Sequence, residues 1–516
     1  MKSTIKREKQ FQLKESVYCK ISALILIFSL IVSIFSGCND TVISTEADTS
    51  PDKTIQSNDT YQTLNVGYSK DDSLNPFFVS TDLNTDLTSL VFEPLFYIDD
   101  TFCAVNGLAS SYEIKDNKLT VKINTASAFS DGVQISSTDA VYSFNMAKKS
   151  SVYKNELTYI SSASAQSTDT IVFTLSGNYR NAQDSLIFPI VKSGTADNSS
   201  SIPIGTGLYA YSANKDTVAL NYNPYCKKPH PNITKIKLIH LDSSSTLIHT
   251  LELGNIDAFF DDLSSGSYSQ ANASVSKTNL SNLVFLGMNS SSYGLSSSAV
   301  RQAVYYSINR QSIVTNSFKK YAIESYTPYH PQWHIFTDSE YDTSQLTLDY
   351  SKAQNLMKNA GFTETINLKL IVYSGNNFKL SAADEIKENL SHIGINITIS
   401  ELSWDNYKSA LMNGDYDFYI GEIKLPTNMD MSSLFSSSKV ICGVSASDTT
   451  GTAYSEYIAG NISLNALTSS FLQNMPFAPI CYRMGALIYS QNITPAADCD
   501  MGNAYKNIYE WNMSNS

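Results

Sequence analysis

His330 and His334, four residues apart, are the spacing in this 516-residue sequence that most suggests metal chemistry. On one helix they would share a face. Pro331 between them argues against a continuous helix, and no Glu follows His330 as H-E-x-x-H requires. Gly205-Thr206-Gly207-Leu208-Tyr209-Ala210 formally fits G-x-G-x-x-A. A nucleotide loop needs a strand before it, a helix after it and an acid about 20 residues on. Here Pro203 precedes the loop, strand-like residues follow it, and 221–231 hold no acid, so a tight turn is the better reading. No G-x-S-x-G elbow occurs. With 48 Asp and Glu in the chain, some carboxylate pair must exist, so the count identifies no acid–base couple. The sequence calls for no metal or other cofactor and for no catalytic residue, although a hydrolase assembled from distant residues stays open.

Five cysteines remain beyond residue 38: Cys103, Cys226, Cys442, Cys481 and Cys499. An odd number cannot all pair within one chain. A Cys481–Cys499 bridge is one option and buried free thiols are the other. The 32 tyrosines offer flat apolar area with a polar tip, suited to clamping varied ligands, although β-sheets use the same residue.

The elements that would position a site are clearest in the second half. Ile366–Tyr373, Ile395–Ile399 and Tyr416–Ile420 read as strands. Leu380–His392 and Ser403–Met412 read as helices, stopped by Gly394 and Gly414. Strands alternating with helices of this length predict βαβαβ with right-handed crossovers in a parallel sheet. Ligands on such sheets sit beyond the carboxyl ends of the strands. The loops Ser374–Asn377 and Gly421–Lys424 are expected there. Earlier, residues 63–69, 119–123, 171–175 and 218–222 alternate as strands, and residues 87–98 read as helix then strand. Asp131-Gly132 marks a turn, and Ser136 with Asp139 has capping-box spacing before a helix reaching Ala147. No repeat of 20–50 residues suggests a solenoid.

Composition bounds the function. Apolar residues make up 42% and charged residues 16%, which describes a globular chain with room for several cores. A net charge of −12 disfavours nucleic acid, whose phosphates it would repel. The first 37 residues read as a secretory signal: six Lys/Arg against two Glu, an apolar run Ile21–Phe35, then Phe35-Ser36-Gly37-Cys38. That run is short for a membrane span, which needs about 20 residues. Cleavage before Cys38 leaves 30 positive and 46 negative charges, −16 net. Residues 38–62 are polar and without apolar periodicity, a tether with a root-mean-square span of about 25–30 Å.

The end of the signal resembles a bacterial lipobox, in which Cys38 would carry the lipid. Phe35 stands where Leu is usual. Five stretches in order resemble the family 5 extracellular solute-binding proteins, the dipeptide, oligopeptide and nickel binders of ABC importers. They are LTVKINTASAFSDGVQISSTDAVYSFNMA at 119–147, with Ser130 where His is common; Ile204–Tyr209; Val300–Ala303 with Ile308-Asn309-Arg310; Tyr350–Ala353 with Ala360-Gly361-Phe362; and the βαβαβ segment ending Asn413–Asp417.

The resemblance implies an α/β, two-lobed, periplasmic-binding-protein-like (type II) fold with an extra domain inserted in lobe one. Lobe one would span 63–288 with the insert at about 97–203, lobe two 289–478, and residues 479–516 would return to lobe one. Crossings near Leu286–Asn289 and Pro476–Cys481 would form a hinge. It implies a monomeric, lipid-anchored binder on the outer face of the bacterial cytoplasmic membrane, not an enzyme. Its partners would be a small solute and ABC permease subunits, with no nucleic acid. The favoured solute is a short peptide; a metal chelate or an oligosaccharide is the alternative.

Peptide-binding relatives carry an Asp for the α-ammonium in a Trp-x-x-Asp-Tyr-like stretch. Here the matching stretch, Gly421 to Asp430, lacks both the Trp and the Asp-Tyr. Glu422 or Asp430 would have to replace the acid, unless Asp430 instead caps a helix at Met431–Phe435. Lys424 would equally suit an anionic group. Asn428, Asn376 and Asn377 complete the expected ligand-binding set.

Overall fold

Alternation at the start of the body puts Leu64 and Val66 inward on strand Gln62–Tyr68, which pairs in parallel with Ile233–His240. A computed structural model describes residues 62–214, 217–267, 272–435 and 449–514. The expected signal, Cys38, the expected tether up to residue 61 and Cys442 lie outside the described residues.

Strand Gln62–Tyr68 belongs to an eleven-stranded mixed sheet that runs through the whole body. At one end lie Ile395–Leu402, Ile366–Tyr373 and Phe418–Lys424, parallel to one another as the βαβαβ reading expects. Helices Asn377–Ser391 and Trp404–Asn413 connect them. Gly394 and Gly414 take the left-handed conformation that ends each helix segment, at φ +78° and +75°. The unit is not a free parallel sheet, however. Phe418–Lys424 pairs antiparallel with Ser274–Met288, which pairs antiparallel with Phe477–Tyr489. The expected loop Gly421–Lys424 is therefore strand: Gly421 lies opposite Phe285, Glu422 opposite Val284 and Lys424 opposite Asn282. The third strand runs four residues past Ile420 because the long neighbour offers its backbone a partner.

Ser274–Met288 and Phe477–Tyr489, 15 and 13 residues long, run between two apolar cores. One core takes most of its residues from Leu64 to Leu238 and from Leu487 to Trp511. The other takes most from Leu241 to Ala486. This is the two-lobed fold. Within the first part, Ala109–Lys115, Lys118–Ile123, Thr170–Leu175 and Ile160–Ala165 form a separate four-stranded antiparallel sheet. Helix Ser137–Ala147 packs on it through Phe144 against Phe173, ring centroids 5.5 Å apart. The Ser136 backbone N–H donates to Asp139 Oδ2 at 2.9 Å, one half of the expected capping box.

The glycine-rich stretch is a turn. Gly207 donates to the Val91 carbonyl at 2.9 Å, and strand Tyr209–Asn214 follows. A Cβ at Gly205 or Gly207 would collide with the Val91 backbone, which explains the glycines without a ligand. The histidines sit apart in role. His330 is buried in a loop between Phe102 and Tyr482, and its Nδ1 accepts from the Gln332 N–H at 3.1 Å. Burial pushes its pKa down to about 3, so it stays neutral. His334 opens the short helix His334–Asp338 and binds Asp184. Cys103, Cys226, Cys481 and Cys499 are free thiols, all but Cys103 buried. Among the described residues no helix is long and apolar enough to cross a membrane.

Candidate functional site

The expected ligand residues do not all face open space. Glu422, on strand Phe418–Lys424, is held on both oxygens. Oε1 accepts from Arg483 Nε at 2.6 Å and Asn282 Nδ2 at 2.9 Å, and Oε2 meets Lys379 Nζ at 2.8 Å. Burial alone would raise its pKa, but the Arg483 and Lys379 charges outweigh that and hold it at about 2. Glu422 is therefore ionised at neutral pH and paired within the protein. Asp430 is buried and also occupied. Its Oδ1 accepts from the Ser432 N–H at 2.9 Å and from the Tyr454 hydroxyl, and its Oδ2 from Ser432 Oγ at 3.0 Å. Both bonds from Ser432 tie it to the first residue of helix Ser432–Phe435, with Met431 in between. Asn376 caps helix Asn377–Ser391, accepting from the Lys379 N–H at 3.0 Å, and Asn377 is that helix's exposed first residue. Buried Asn428 accepts from the Asp430 N–H at 3.1 Å.

Lys424 differs. It is exposed and lines a cavity of about 130 Å³ with residues of the other lobe. Asp86 reaches that cavity from helix Asp82–Val91, Glu156 from the segment before Ile160–Ala165, and Asp500 from the C-terminal stretch. Tyr97 and Tyr153 line it too. Burial raises the Tyr97 hydroxyl to about 12, so it is a neutral wall.

The three carboxylates are unequally satisfied. Asp500 accepts from Lys506 Nζ at 3.0 Å. Glu156 Oε2 takes the Thr427 N–H at 2.8 Å and the Thr427 hydroxyl at 3.1 Å, across from the other lobe. Among the described residues nothing donates to the Asp86 carboxylate. Burial raises its pKa well above the usual range, and the like charges of Asp82, Asp262 and Asp261 raise it further. Burial also raises Glu156 and Asp500. Lys424 offsets part of this for Asp86 and Glu156, but three carboxylates face one cavity lysine, and an ammonium entering the cavity would relieve them further.

Sequence reasoning missed Asp86, Glu156 and Asp500. They come from three segments spread over more than 400 positions, so no local spacing marks them.

Other bonds join the same surfaces. Asp184 Oδ2 meets His334 Nε2 at 3.0 Å, and the Thr427 hydroxyl donates to the Asp184 carbonyl. Thr278 Oγ1 donates to Asp100 Oδ1 at 3.2 Å.

Known proteins share this architecture. The oligopeptide-binding protein AppA of Bacillus subtilis is 24% identical over 468 residues, covering 82% of this chain and 84% of its own. Its structure with a nonapeptide superposes at TM-score 0.59 with 18% identity, over 88% of this chain and 99% of that one. The ABC transporter substrate-binding protein CtaP of Listeria monocytogenes gives a TM-score of 0.70 at 19% identity, again over 88% and 99%. NikA of Staphylococcus aureus, solved with Ni(L-His)2, gives 0.60 at 18% identity, over 88% and 100%. Residues 104–439 match the middle region of the bacterial extracellular solute-binding proteins, family 5. With two lobes, a cavity between them and that match over most of its length, the chain belongs to this family of solute-binding proteins.

Proposed function

We propose that this protein captures a short peptide between its lobes and delivers it to the permease of an ABC importer, working from a lipid anchor at Cys38. One observation carries the ligand class: Asp86, Glu156 and Asp500 converge on one interlobe cavity in which Lys424 is the one cation, and among the described residues no hydrogen-bond donor meets the Asp86 carboxylate. A peptide α-ammonium supplies the missing charge. A neutral oligosaccharide would leave that charge uncompensated. Relatives solved with peptides, among them AppA of Bacillus subtilis and DppA of Helicobacter pylori, support the same reading.

The hinge belongs where the long strands leave one core for the other. Their pairing slips between Asn279 and Leu283 and again between Val284 and Phe285. We place the crossing at Asn279–Leu283 and Tyr482–Ala486, several residues from the 286–289 and 476–481 read in the sequence. Pairing irregularities of this kind interrupt the ladder and let strands bend.

A synthetic library of three- to six-residue peptides, mixed with the purified protein, tests the function. Retained peptides should be recovered unchanged by mass spectrometry, and the radius of gyration in X-ray scattering should fall as the lobes close. Fragments of the library would reveal a hydrolase, and an empty protein of unchanged radius would remove the peptide reading. The anchor has its own test. Wild-type protein expressed in a bacterial host should incorporate labelled fatty acid and Cys38→Ala should not; equal labelling of both would exclude lipidation at Cys38.

A further inference from the structure

We infer that His334 and Asp184 form a pH-gated latch between the lobes, which favours the closed cleft in mildly acidic surroundings and releases it as they turn alkaline. This rests on the capture-and-closure reading above and adds regulation to it.

The two residues stand on different lobes. Ala182 and Leu186, on either side of Asp184, belong to the first core; Trp333 and Phe336, on either side of His334, belong to the other. His334 Nε2 lies 3.0 Å from Asp184 Oδ2. Asp184 is fully buried, and its other oxygen is committed within its own lobe. Oδ1 accepts from the Ala104 N–H at 3.0 Å and from Gln183 Nε2 at 3.1 Å. The Asn181 side chain bonds the carboxylate as well. One lobe thus aims Oδ2 and the other completes its bonding. His334 keeps 21% of its side-chain surface exposed, so protons reach it from water. Its backbone N–H donates to the Thr101 carbonyl at 2.9 Å, which fixes the base of the ring.

Three anions act on the imidazole. Asp184 faces it across the lobes, Asp338 lies at the other end of its own helix, and Asp99 lies in the turn that carries Thr101. Burial disfavours the imidazolium, but the Asp184 bond and these three charges outweigh it and hold the pKa above the ordinary value. The other groups at this contact keep one charge state near neutral pH. Burial and the same three carboxylates raise the Cys103 thiol. Partial burial raises Tyr112; burial raises Tyr159, helped by Glu156, Asp184 and Asp430. Asp100 is turned toward Thr278, and Arg180, a permanent cation, lines a chamber with Asp338. His330, four residues before His334, is neutral already.

The neighbouring interlobe bonds carry no such switch. The Thr427 hydroxyl donates to the Asp184 carbonyl, and Asn181 Nδ2 donates to the Asn428 carbonyl at 3.3 Å. His334 is different, because opening takes Asp184 away and returns the ring to water. Its pKa then falls back toward the ordinary value, so the closed form binds the proton more tightly. Closure gains from the pair below the open-form pKa and loses that gain as pH rises through the closed-form pKa. Asp184 sets the acid limit: burial raises its own pKa, and protonating it removes the other half of the pair.

The test compares wild type with His334→Gln, which keeps a donor for Asp184 but cannot carry the charge, on the same peptide library. At about pH 6 wild type should bind about three- to tenfold more tightly than the variant, and at about pH 8 the two should agree within about twofold. Both proteins keep Asp86, Glu156 and Asp500, so the difference isolates His334 from the acidic cavity. Asp338 is exposed, so Asp338→Asn should fold; with one anion gone, its advantage over His334→Gln should fade at a lower pH than that of wild type. Melting temperatures at each pH verify that all three proteins are folded. A ratio that is the same at both pH values, or an unmoved midpoint in Asp338→Asn, would overturn the latch and leave the peptide reading standing. If no protein retains peptide, the peptide reading falls and X-ray scattering from the empty proteins decides the latch. Wild type must then be more compact at about pH 6 than at about pH 8, and His334→Gln equally extended at both; equal radii in wild type would overturn it.

Discussion

Asp86→Asn should weaken binding of a peptide with a free α-amino group by about 30- to several-thousand-fold and, in the same protein, raise stability at neutral pH. The loss follows from removing one partner of a charge pair that closure desolvates, about 2–5 kcal/mol. The gain follows from linkage. Burial and three neighbouring carboxylates raise the folded pKa of Asp86 above its unfolded value. A carboxyl raised in this way binds a proton more tightly in the folded state, so the fold loses stability as pH rises through the unfolded value toward the folded one. Asparagine cannot ionise and removes that cost. An ordinary structural carboxylate gives the opposite pattern, a less stable protein with unchanged affinity. A second signature follows. When the ammonium arrives, Asp86 ionises more readily, so binding should release protons and tighten as pH rises through the raised pKa of the empty site. Titration calorimetry in two buffers of different ionisation enthalpy measures the protons released, and thermal melting measures the stability. An Asp86→Asn protein that binds peptide within twofold of wild type would remove Asp86 from the site.

Arg483→Met should cost about 3–5 kcal/mol of folding stability, the effect expected when a buried charge loses its partner. Arg483 is 3% exposed. From strand Phe477–Tyr489 it reaches Glu422 through Nε at 2.6 Å, the Asp262 carbonyl through Nη1, and the Asp262 carboxylate through Nη2 at 3.7 Å. Without it, Glu422 keeps only Lys379 and Asn282. The pH dependence has a definite sign. Glu422 is depressed from 4.5 to about 2, so its contribution is present above the unfolded value and is lost as pH falls from about 5 to about 2. In Arg483→Met the acid-side slope should flatten. Adding Glu422→Met should recover much of the lost stability, since an apolar pair often replaces a buried ion pair at little cost. Urea unfolding from pH 2 to pH 7 measures all three proteins. A single variant as stable as wild type, with the same acid slope, would show that the network contributes nothing to folding.

The fold was legible where the signal is local. Helix Asn377–Ser391 shows itself by Ala383, Ile386 and Leu390 on one face and by Gly394 beyond its end; Ser136 and Asp139 mark a helix start within four residues. The end of strand Phe418–Lys424 was not legible, because the strand that prolongs it lies about 140 residues earlier. The site was less legible for the same reason. Family resemblance directed attention to Gly421–Asp430, and that segment does enter the cleft through Lys424 and Thr427. Which of its carboxylates are free depends on Arg483, Lys379 and Tyr454, all distant in sequence. Asp430 itself is bound to Ser432, the first residue of the four-residue helix, and to Tyr454, 24 residues on.

The first described strand and the last clasp each other. Gln62 Nε2 donates to the Met513 carbonyl at 3.1 Å, and the Met513 N–H donates back to Gln62 Oε1 at 2.6 Å. Both residues belong to the part of the chain built around the first core, so the other lobe is a closed excursion carrying neither end. A pull on either terminus therefore loads that clasp and the strand beneath it before it loads the crossing strands. The same closeness makes residues 62 and 513 a natural seam at which the polypeptide can be rejoined and reopened elsewhere, the geometry a circularly permuted peptide sensor requires.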